Sequence, residues 1–276
     1  QAAALPGDAG GRGLALVRRP QDPAPAVFRV ARTTPGELAA LAERVRGQER
    51  ARSPWLPALP LRLSRTRLTA PQDGEIVLGV ADEPEQQRQT LRTLRPTQDR
   101  GLMVFGGPGS GKSTVLQALA EQVPQAVRIP QDPEQAWTLI DEIAEGRRPM
   151  PPLLVVDDVD RHLAAFPLEY AAAWAERLQR VVRAAGERGG TVVLSASRCS
   201  GQIAAIAELL PLRALLRTAS RAEHLAAGGE SAAFDSERPP GRAVLGTTEV
   251  QCALPDSDEG APDPLPDLTP HWKPRA

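Results

Sequence analysis

An eight-residue loop places the strongest limit on the fold of this chain. Positions 106–113 read Gly-Gly-Pro-Gly-Ser-Gly-Lys-Ser and match the phosphate-binding pattern G-x-x-x-x-G-K-[ST] without a mismatch. The pattern requires a strand before the loop and a helix after it, because the helix directs its free N–H groups and its positive end at the phosphate. An apolar run at 102–105 precedes the loop, and an apolar repeat at helical spacing begins at Val115. The loop therefore predicts an α/β fold with a site for a nucleoside triphosphate.

The lysine of this loop stands out in an arginine-rich chain. The 33 basic residues include only two lysines, Lys112 and Lys273, and a compact ammonium fits inside a ring of backbone amides where a planar guanidinium does not. We expect Lys112 to act as a catalytic residue that contacts the β- and γ-phosphates of ATP, with the Ser113 hydroxyl as a ligand of Mg²⁺. A dinucleotide fingerprint, G-x-G-x-x-G, is excluded because it needs glycine at position 112. The residues expected to hold the nucleotide are Gly106, Gly107, Pro108, Gly109, Ser110, Gly111, Lys112, Ser113 and Thr114.

Two aspartates after an apolar run predict the metal site. Residues 153–156 are apolar throughout, as in a strand that is buried on both faces, and Asp157 and Asp158 follow directly. We assign Asp157, on a strand beside the loop, as the metal ligand that acts with Ser113. Asp158 is the catalytic candidate for positioning the attacking water, and its side chain, shorter than glutamate, predicts slow hydrolysis. The alternative is that both acids only begin a turn, and Asp160 is interpreted as a helix cap or surface acid.

Polar residues also follow the strand expected at 191–194. If this strand lies between the loop strand and the metal strand, Ser197 or Ser195 would contact the γ-phosphate or the water, and Ser197 is taken as the catalytic candidate. The alternative is that these serines only cap a turn. An arginine finger could reach a neighbouring subunit's γ-phosphate from one of four positions. These candidates are Arg242, Arg198, Arg217 and Arg221.

Regular patterns outside the loop extend the α/β prediction. Strand and helix signals alternate from 101 to 218, which is typical of a mainly parallel sheet flanked by helices. Thr34 and Glu37 form a capping box that predicts a helix over 35–46. Residues 255–276 are rich in proline and acids and predict a disordered tail. Two further elements are expected, a strand at 75–80 and an edge strand or hairpin at 243–253.

Charge, cysteines and histidines exclude several classes of protein. The net charge of −1 gives no overall polycation for nucleic acid, and no apolar run approaches the ~18 residues that span a bilayer. Cys199 and Cys252 form neither a disulfide framework nor a zinc pattern, which favours a reducing compartment. His162, His224 and His271 have no ligand spacing and are interpreted as surface residues, so no zinc is expected.

The order of these motifs resembles the FtsK/SpoIIIE family of P-loop ATPases, and in particular the tandem ATPase modules of EccC-like type VII secretion proteins. Residues 55–60, Trp-Leu-Pro-Ala-Leu-Pro, are similar to the opening segment of those modules, and 240–242, Pro-Gly-Arg, to their closing segment. The resemblance covers 53–254. It implies a RecA-like P-loop NTPase core with a mainly parallel sheet flanked by helices.

A weak internal echo bears on the region before this domain. Residues 11–14 and 28–31 look like 241–244 and 250–253. Together with the resemblance, this echo predicts that 1–52 hold the end of a preceding ATPase module and a linker helix.

The resemblance implies an ATP-hydrolysing motor module that energises or regulates type VII protein secretion at the cytoplasmic face of a bacterial membrane. The implied partners are other ATPase modules of the same polypeptide or oligomer and a secreted protein, with membrane contact only through segments outside this chain. Three alternatives stay open: a DNA-translocating FtsK-type ATPase, an AAA+ initiator or loader-like ATPase, and an ATP-binding regulatory module with little turnover. DNA-translocating members usually carry glutamate after the metal aspartate and glutamine near Ser197, and both are absent here.

Overall fold

The computed structural model describes residues 13–18, 23–46, 56–68, 74–96 and 98–256, which fall into two units that divide between positions 52 and 53. In the first unit, β1 (Leu14–Val17) and β2 (Ala26–Arg29) form an antiparallel hairpin. Helix α1 (Pro35–Arg44) follows, and the Thr34–Glu37 capping box is confirmed, with the helix ending two residues before the predicted boundary. The apolar side chains of α1 are exposed within this unit.

The second unit is built on one sheet of nine strands. The strands are β3 (Ile76–Glu83), β4 (Arg88–Leu94), β5 (Gly101–Phe105), β6 (Val127–Arg128), β7 (Leu153–Val156), β8 (Thr191–Ala196), β9 (Leu212–Leu215), β10 (Arg242–Leu245) and β11 (Thr248–Cys252). The helices are α2 (Lys112–Ala120), α3 (Pro133–Ala144), α4 (Val159–Ala165), α5 (Leu168–Ala184), α6 (Gly201–Ala207) and α7 (Arg221–Ala226). Short 3-10 turns lie at Arg65–Arg67, Pro84–Gln86 and Ser231–Ala233.

The strand order is β4-β3-β11-β10-β9-β5-β8-β7-β6. The five strands from β9 to β6 run parallel, which confirms the prediction of a mainly parallel core, and β8 lies between the loop strand β5 and the metal strand β7. The other four strands are antiparallel. The hairpin expected at 243–253 forms as β10 and β11, but it lies inside the sheet between β9 and β3 rather than at its edge.

Helices cover both faces of the parallel strands. In β5, Met103 and Phe105 pack into a cluster with α3, α5 and α6, while Leu102 and Val104 pack into a second cluster with α2. Alternate residues of a strand point to opposite faces, so α2 lies on the face opposite to α3, α5 and α6. Burial of β5 on both faces agrees with its continuous apolar sequence.

The end of the second unit differs from the sequence-based boundary. The tail was expected to begin at 255, but Pro255 is buried and the backbone N–H of Asp256 donates to Glu121. Residues 257–276, with Lys273 and His271, lie outside the described residues. Among the helices that the structure describes, none combines the length and the apolar character needed to cross a membrane.

Candidate nucleotide-binding site

The loop at 106–113 continues from the carboxyl end of β5. The N–H of Gly106 donates to the carbonyl of Ala196 at 3.2 Å, and the N–H of Gly107 donates to that of Arg217 at 2.8 Å. The loop thus leaves the sheet between the ends of β8 and β9, where ligands of open α/β sheets bind. Gly111 precedes α2, and Lys112 is the first residue of that helix, as the motif predicts. Ser113 and Thr114 lie in its first turn.

Close packing within the loop explains its glycines. A Cβ on Gly106 would lie 2.4 Å from the Ser110 hydroxyl and 2.9 Å from the Cβ of Leu216. Gly111 has a φ of +98°, and a Cβ there would lie 2.9 Å from the backbone nitrogen of Gly241. The left-handed region and this separation both exclude a larger residue. The sequence pattern therefore reflects a backbone path that only glycine adopts without displacement of its neighbours.

The polar groups of the loop suit an anion. The Lys112 ammonium donates to the carbonyls of Gly106 at 2.7 Å and Gly107 at 3.3 Å, so it lies over the loop. The Ser110 hydroxyl is almost completely buried and has no hydrogen-bond partner among the described residues. Helix α2 directs its first N–H groups and the positive end of its dipole at the same place. A loop narrowed by glycines, with a cation and an unsatisfied hydroxyl, fits the phosphates of a nucleotide.

Asp157 lies at the carboxyl end of β7 and contacts the end of β8. Its Oδ1 accepts a hydrogen bond from the Ser195 hydroxyl at 2.6 Å, and the same hydroxyl accepts from the N–H of Asp158 at 2.8 Å. Ser195 is fully buried. Strand β8 separates β7 from the loop strand β5, as expected for the strand at 191–194. A carboxylate and the Ser113 hydroxyl are oxygen ligands of the kind that Mg²⁺ prefers, so this donor set fits the metal.

Asp158 has an unusual backbone and an unusual carboxyl group. Its φ of 58° and ψ of 63° lie in the left-handed region, which is uncommon for a residue with a side chain and concentrates at functional sites. Burial, followed by the neighbouring Asp160 carboxylate, raises the pKa of Asp158, and the Lys112 ammonium acts in the opposite sense. The acid thus lies within electrostatic reach of the loop lysine.

Asp160 has a larger part in the site than the sequence indicated. Its carboxylate accepts a hydrogen bond from the N–H of Ser197, and its charge helps to raise the pKa of Asp158. It is neither a cap nor a fully exposed acid. Ser197 contributes its backbone to this contact, whereas the serine whose hydroxyl contacts the Asp157 carboxylate is Ser195. The only feature of the sequence that could have indicated this role is the position of Asp160, three residues after Asp157.

The four candidate arginines occupy different surroundings. The buried guanidinium of Arg242 donates to Gln251 at 2.8 Å, to the carbonyls of Leu59 at 2.9 Å and Pro60 at 3.1 Å, and to Glu249 at 3.5 Å, so it is held within its own chain. Arg198 is exposed and pairs with Glu223. Arg221 lies over the ring of Phe234. Arg217 is half-buried beside the loop.

Two histidines that were interpreted as surface residues are buried. His162, on α4, stacks on Trp174 with a centroid distance of 5.2 Å, and burial lowers its pKa against the opposing charge of Asp157. His224, on α7, is completely buried. The interpretation was wrong because it used only the spacing of the histidines, which excludes a zinc site. The spacing does not show how far the packing of the helices buries each ring. Within the described ranges, no group of three acidic, histidine or cysteine side chains is arranged to hold a metal ion.

Known proteins resemble the chain in sequence and fold. The ESX secretion system protein EccC of Geobacillus thermodenitrificans is 38% identical over 71 residues, which is 26% of this chain and 5% of that protein. The solved structure of EssC ATPases 2 and 3 from Geobacillus thermodenitrificans superposes with a TM-score of 0.58 at 20% identity, over 75% of this chain and 49% of that one. The cytoplasmic domain of the type VII secretion ATPase EccC of Thermomonospora curvata gives 0.57 at 19% identity, over 72% and 28%.

These matches confirm the resemblance to EccC-type modules of the FtsK/SpoIIIE family, and the P-loop ATPase fold with it. No family model matches the chain. The chain spans about a twentieth of the curated relative and about half of the EssC structure, so the similarity concerns one module of a longer protein in each case.

Proposed function

We propose that the second unit binds Mg²⁺-ATP at the 106–113 loop and hydrolyses it as a motor module in type VII protein secretion. The observation that carries the proposal is the joint geometry of the loop and the Asp157–Ser195 pair. The loop ends β5, the pair joins the ends of β7 and β8, and all three ends lie at one edge of the sheet. Phosphate-binding amides and a metal carboxylate therefore lie on adjoining strand ends.

The residues of the chain have distinct tasks in this proposal. The loop amides and Lys112 bind the phosphates. The Lys112 ammonium donates to loop carbonyls in the structure and would donate to phosphate oxygens instead when the nucleotide is bound. Ser113 and Asp157 hold Mg²⁺, which neutralises phosphate charge when it is bound. Ser195 orients Asp157 through its hydroxyl. Asp158 orients the attacking water, with Ser197 close by as the second catalytic candidate.

The Asp158–Asp160 pair bears on the rate of hydrolysis. The raised pKa of Asp158 reflects burial and then the neighbouring charge of Asp160. Asp158 is also one methylene shorter than the glutamate that many ATPases carry at this position. We therefore propose slow turnover. Single-turnover hydrolysis separates a slow motor from a regulatory module that binds ATP without using it.

The secretion context is supported by sequence similarity to EccC and by the first unit. The hairpins β1–β2 and β10–β11 have the same local geometry, because Gly13 and Gly241 precede them with φ values of +80° and +74°. The carbonyl of Gly13 accepts a hydrogen bond from the N–H of Val30 at 2.7 Å, and that of Gly241 accepts one from the N–H of Cys252 at 2.8 Å. This likeness supports the proposal that 1–52 end a preceding module. It aligns Gly13, rather than Gly11, with Gly241. Other modules and a secreted protein are then the proposed partners, at the cytoplasmic face of a membrane that other segments would contact.

The other ATPase classes lack support of this kind. Residues 219–254 form α7, a 3-10 turn and the β10–β11 hairpin, so this part of the described chain has no helical lid of the AAA+ type. The DNA-translocating alternative predicts hydrolysis that duplex DNA stimulates and salt suppresses. Stimulation at low salt would favour that alternative over secretion.

Lys112→Ala tests the proposal. We expect the variant to lose tight binding of Mg²⁺-ATP, measured by titration with a fluorescent ATP analogue, because the loop loses its only ammonium. Arg180→Ala is the matched control, since it removes one charge from an exposed position on α5. Equal nucleotide affinity for Lys112→Ala and the unaltered chain would refute the proposed site.

A further inference from the structure

Arg217 lies beside the phosphate-binding loop of its own chain. It comes directly after Leu216, whose N–H donates to the carbonyl of Phe105 at 2.8 Å, and its own carbonyl accepts from Gly107 at 2.8 Å. These bonds extend the β5–β9 pairing and fix the backbone of Arg217 against the start of the loop. A terminal guanidinium nitrogen of Arg217 lies 3.7 Å from the position that a Cβ on Gly109 would take. The side chain thus reaches the middle of the loop.

The guanidinium of Arg217 has no hydrogen-bond or ion-pair partner in the described part of the chain. The neighbouring arginines differ in this respect. Arg213 donates to Glu208 and to backbone carbonyls, and Arg242 donates to four oxygen acceptors. A half-buried cation without a counter-charge is an incomplete arrangement, and the loop amides next to it attract an anion.

We propose that Arg217 binds a phosphate oxygen of the nucleotide held by its own chain, on the side of the loop opposite to Asp157. The inference rests on the proposed function. Strands β8 and β9 flank β5 on opposite sides. Asp157 and Ser195 approach the loop from the β8 side and Arg217 from the β9 side, so the phosphates are held between the metal ligands and a guanidinium. This position also assigns Arg217 to its own nucleotide and not, as an arginine finger, to that of a neighbouring subunit.

The test compares nucleotide affinities of three variants at a dilution where sedimentation shows single chains. Arg217→Ala should weaken binding of Mg²⁺-ATP about tenfold or more, the effect of losing one hydrogen bond to a charged group. Arg217→Lys should recover only part of the loss, because lysine keeps the charge without the planar fork. Arg221→Ala, four residues later and directed at Phe234, is the matched control and should stay within twofold. Comparison with Mg²⁺-ADP identifies the phosphate, since a loss confined to ATP indicates the γ-phosphate.

Thermal unfolding without nucleotide checks that the variants fold. If an Arg217 variant does not fold, Arg217→Gln is used in its place. Affinity within twofold of the unaltered chain for Arg217→Ala would overturn the inference. So would recovery of binding when Arg217→Ala is mixed with Lys112→Ala at a concentration where the chains associate, because an arginine that acts between subunits complements in such a mixture. If Lys112→Ala alone loses binding, the proposed function stands and only the role of Arg217 fails. If Lys112→Ala binds like the unaltered chain, both fail.

Discussion

Removal of the Ser195 hydroxyl tests how the carboxylate of Asp157, the proposed metal ligand, is held in position. In the structure this hydroxyl donates to Asp157 Oδ1 at 2.6 Å and accepts from the N–H of Asp158 at 2.8 Å. Ser195→Ala removes both bonds at once. Because Ser195 is fully buried, water does not readily replace the lost oxygen.

The size of the effect follows from the two bonds. The bond to Asp157 is charge-assisted, and such bonds contribute about 1.5–3 kcal/mol. The N–H of Asp158, left without its acceptor, adds a penalty of about 1–3 kcal/mol. These costs overlap, so we expect the free energy of unfolding to fall by about 2–3 kcal/mol. Loss of an outer partner of a metal ligand typically weakens metal affinity ~10–100-fold, and we expect the Mg²⁺ requirement to rise by that factor.

Two measurements separate stability from metal positioning. Urea unfolding gives the change in the free energy of unfolding, and titration of ATP hydrolysis with Mg²⁺ at saturating ATP gives the metal requirement. Ser197→Ala is the control, since the hydrogen bond of Ser197 to Asp160 comes from the backbone N–H and survives the change. It should alter stability by less than about 0.5 kcal/mol. A normal Mg²⁺ requirement for Ser195→Ala, with a raised one for Ser197→Ala, would refute this reasoning and make Ser197 the serine that serves the metal site.

Two further predictions concern the fold. Gly79→Ala should destabilise the second unit by more than about 4 kcal/mol in urea unfolding, because the new Cβ would lie 1.9 Å from the carbonyl oxygen of Gln251. Gly186→Ala, with no atom within 4 Å, should leave stability nearly unchanged, and equal losses would contradict the packing argument. Burial, followed by the charge of Arg238, lowers the pKa of His224 in the folded chain. As the pH falls, His224 is therefore protonated in the unfolded chain before it is protonated in the folded one. Stability is therefore complete above the ordinary histidine pKa of about 6.5 and falls, by up to ~1.4 kcal/mol per pH unit, as the pH drops below it. His224→Gln should flatten this decline, and an unchanged slope would contradict the assignment.

The parallel half of the sheet could be predicted because its signals are local. Strand β7 is apolar at every position, and β5 is apolar at every position after its first residue, Gly101. The glycine loop marks where β5 ends. The antiparallel half depends on distant partners. Strand β4 reads Arg-Gln-Thr-Leu-Arg-Thr-Leu, and the side-chain N–H of its buried Gln89 donates to the carbonyl of Pro57 at 2.8 Å. A polar residue whose donor finds a distant acceptor looks like a surface residue in the sequence, so β4 escaped detection.

The candidate site divides in the same way. The loop is one continuous segment, and its sequence alone was enough to locate Lys112 and Ser113. The contact between Asp157 and Ser195 joins residues 38 positions apart, and it forms because β7 and β8 are neighbours in the sheet. Position at a strand end identified both serines as candidates, but it could not tell which hydroxyl points at the carboxylate.

The arginines show most clearly why partners matter more than position in the sequence. Arg242 follows Pro-Pro-Gly, in a segment that resembles the end of a motor module, and this position made it one of four finger candidates. Its guanidinium, however, is buried against four oxygen acceptors, and moving it would leave those acceptors and the charge unsatisfied at a cost of several kcal/mol. An arginine that binds a nucleotide must instead have donors that the protein does not already use. Arg217 meets this condition beside Gly109, and the comparison therefore ranks it above Arg242 for contact with phosphate.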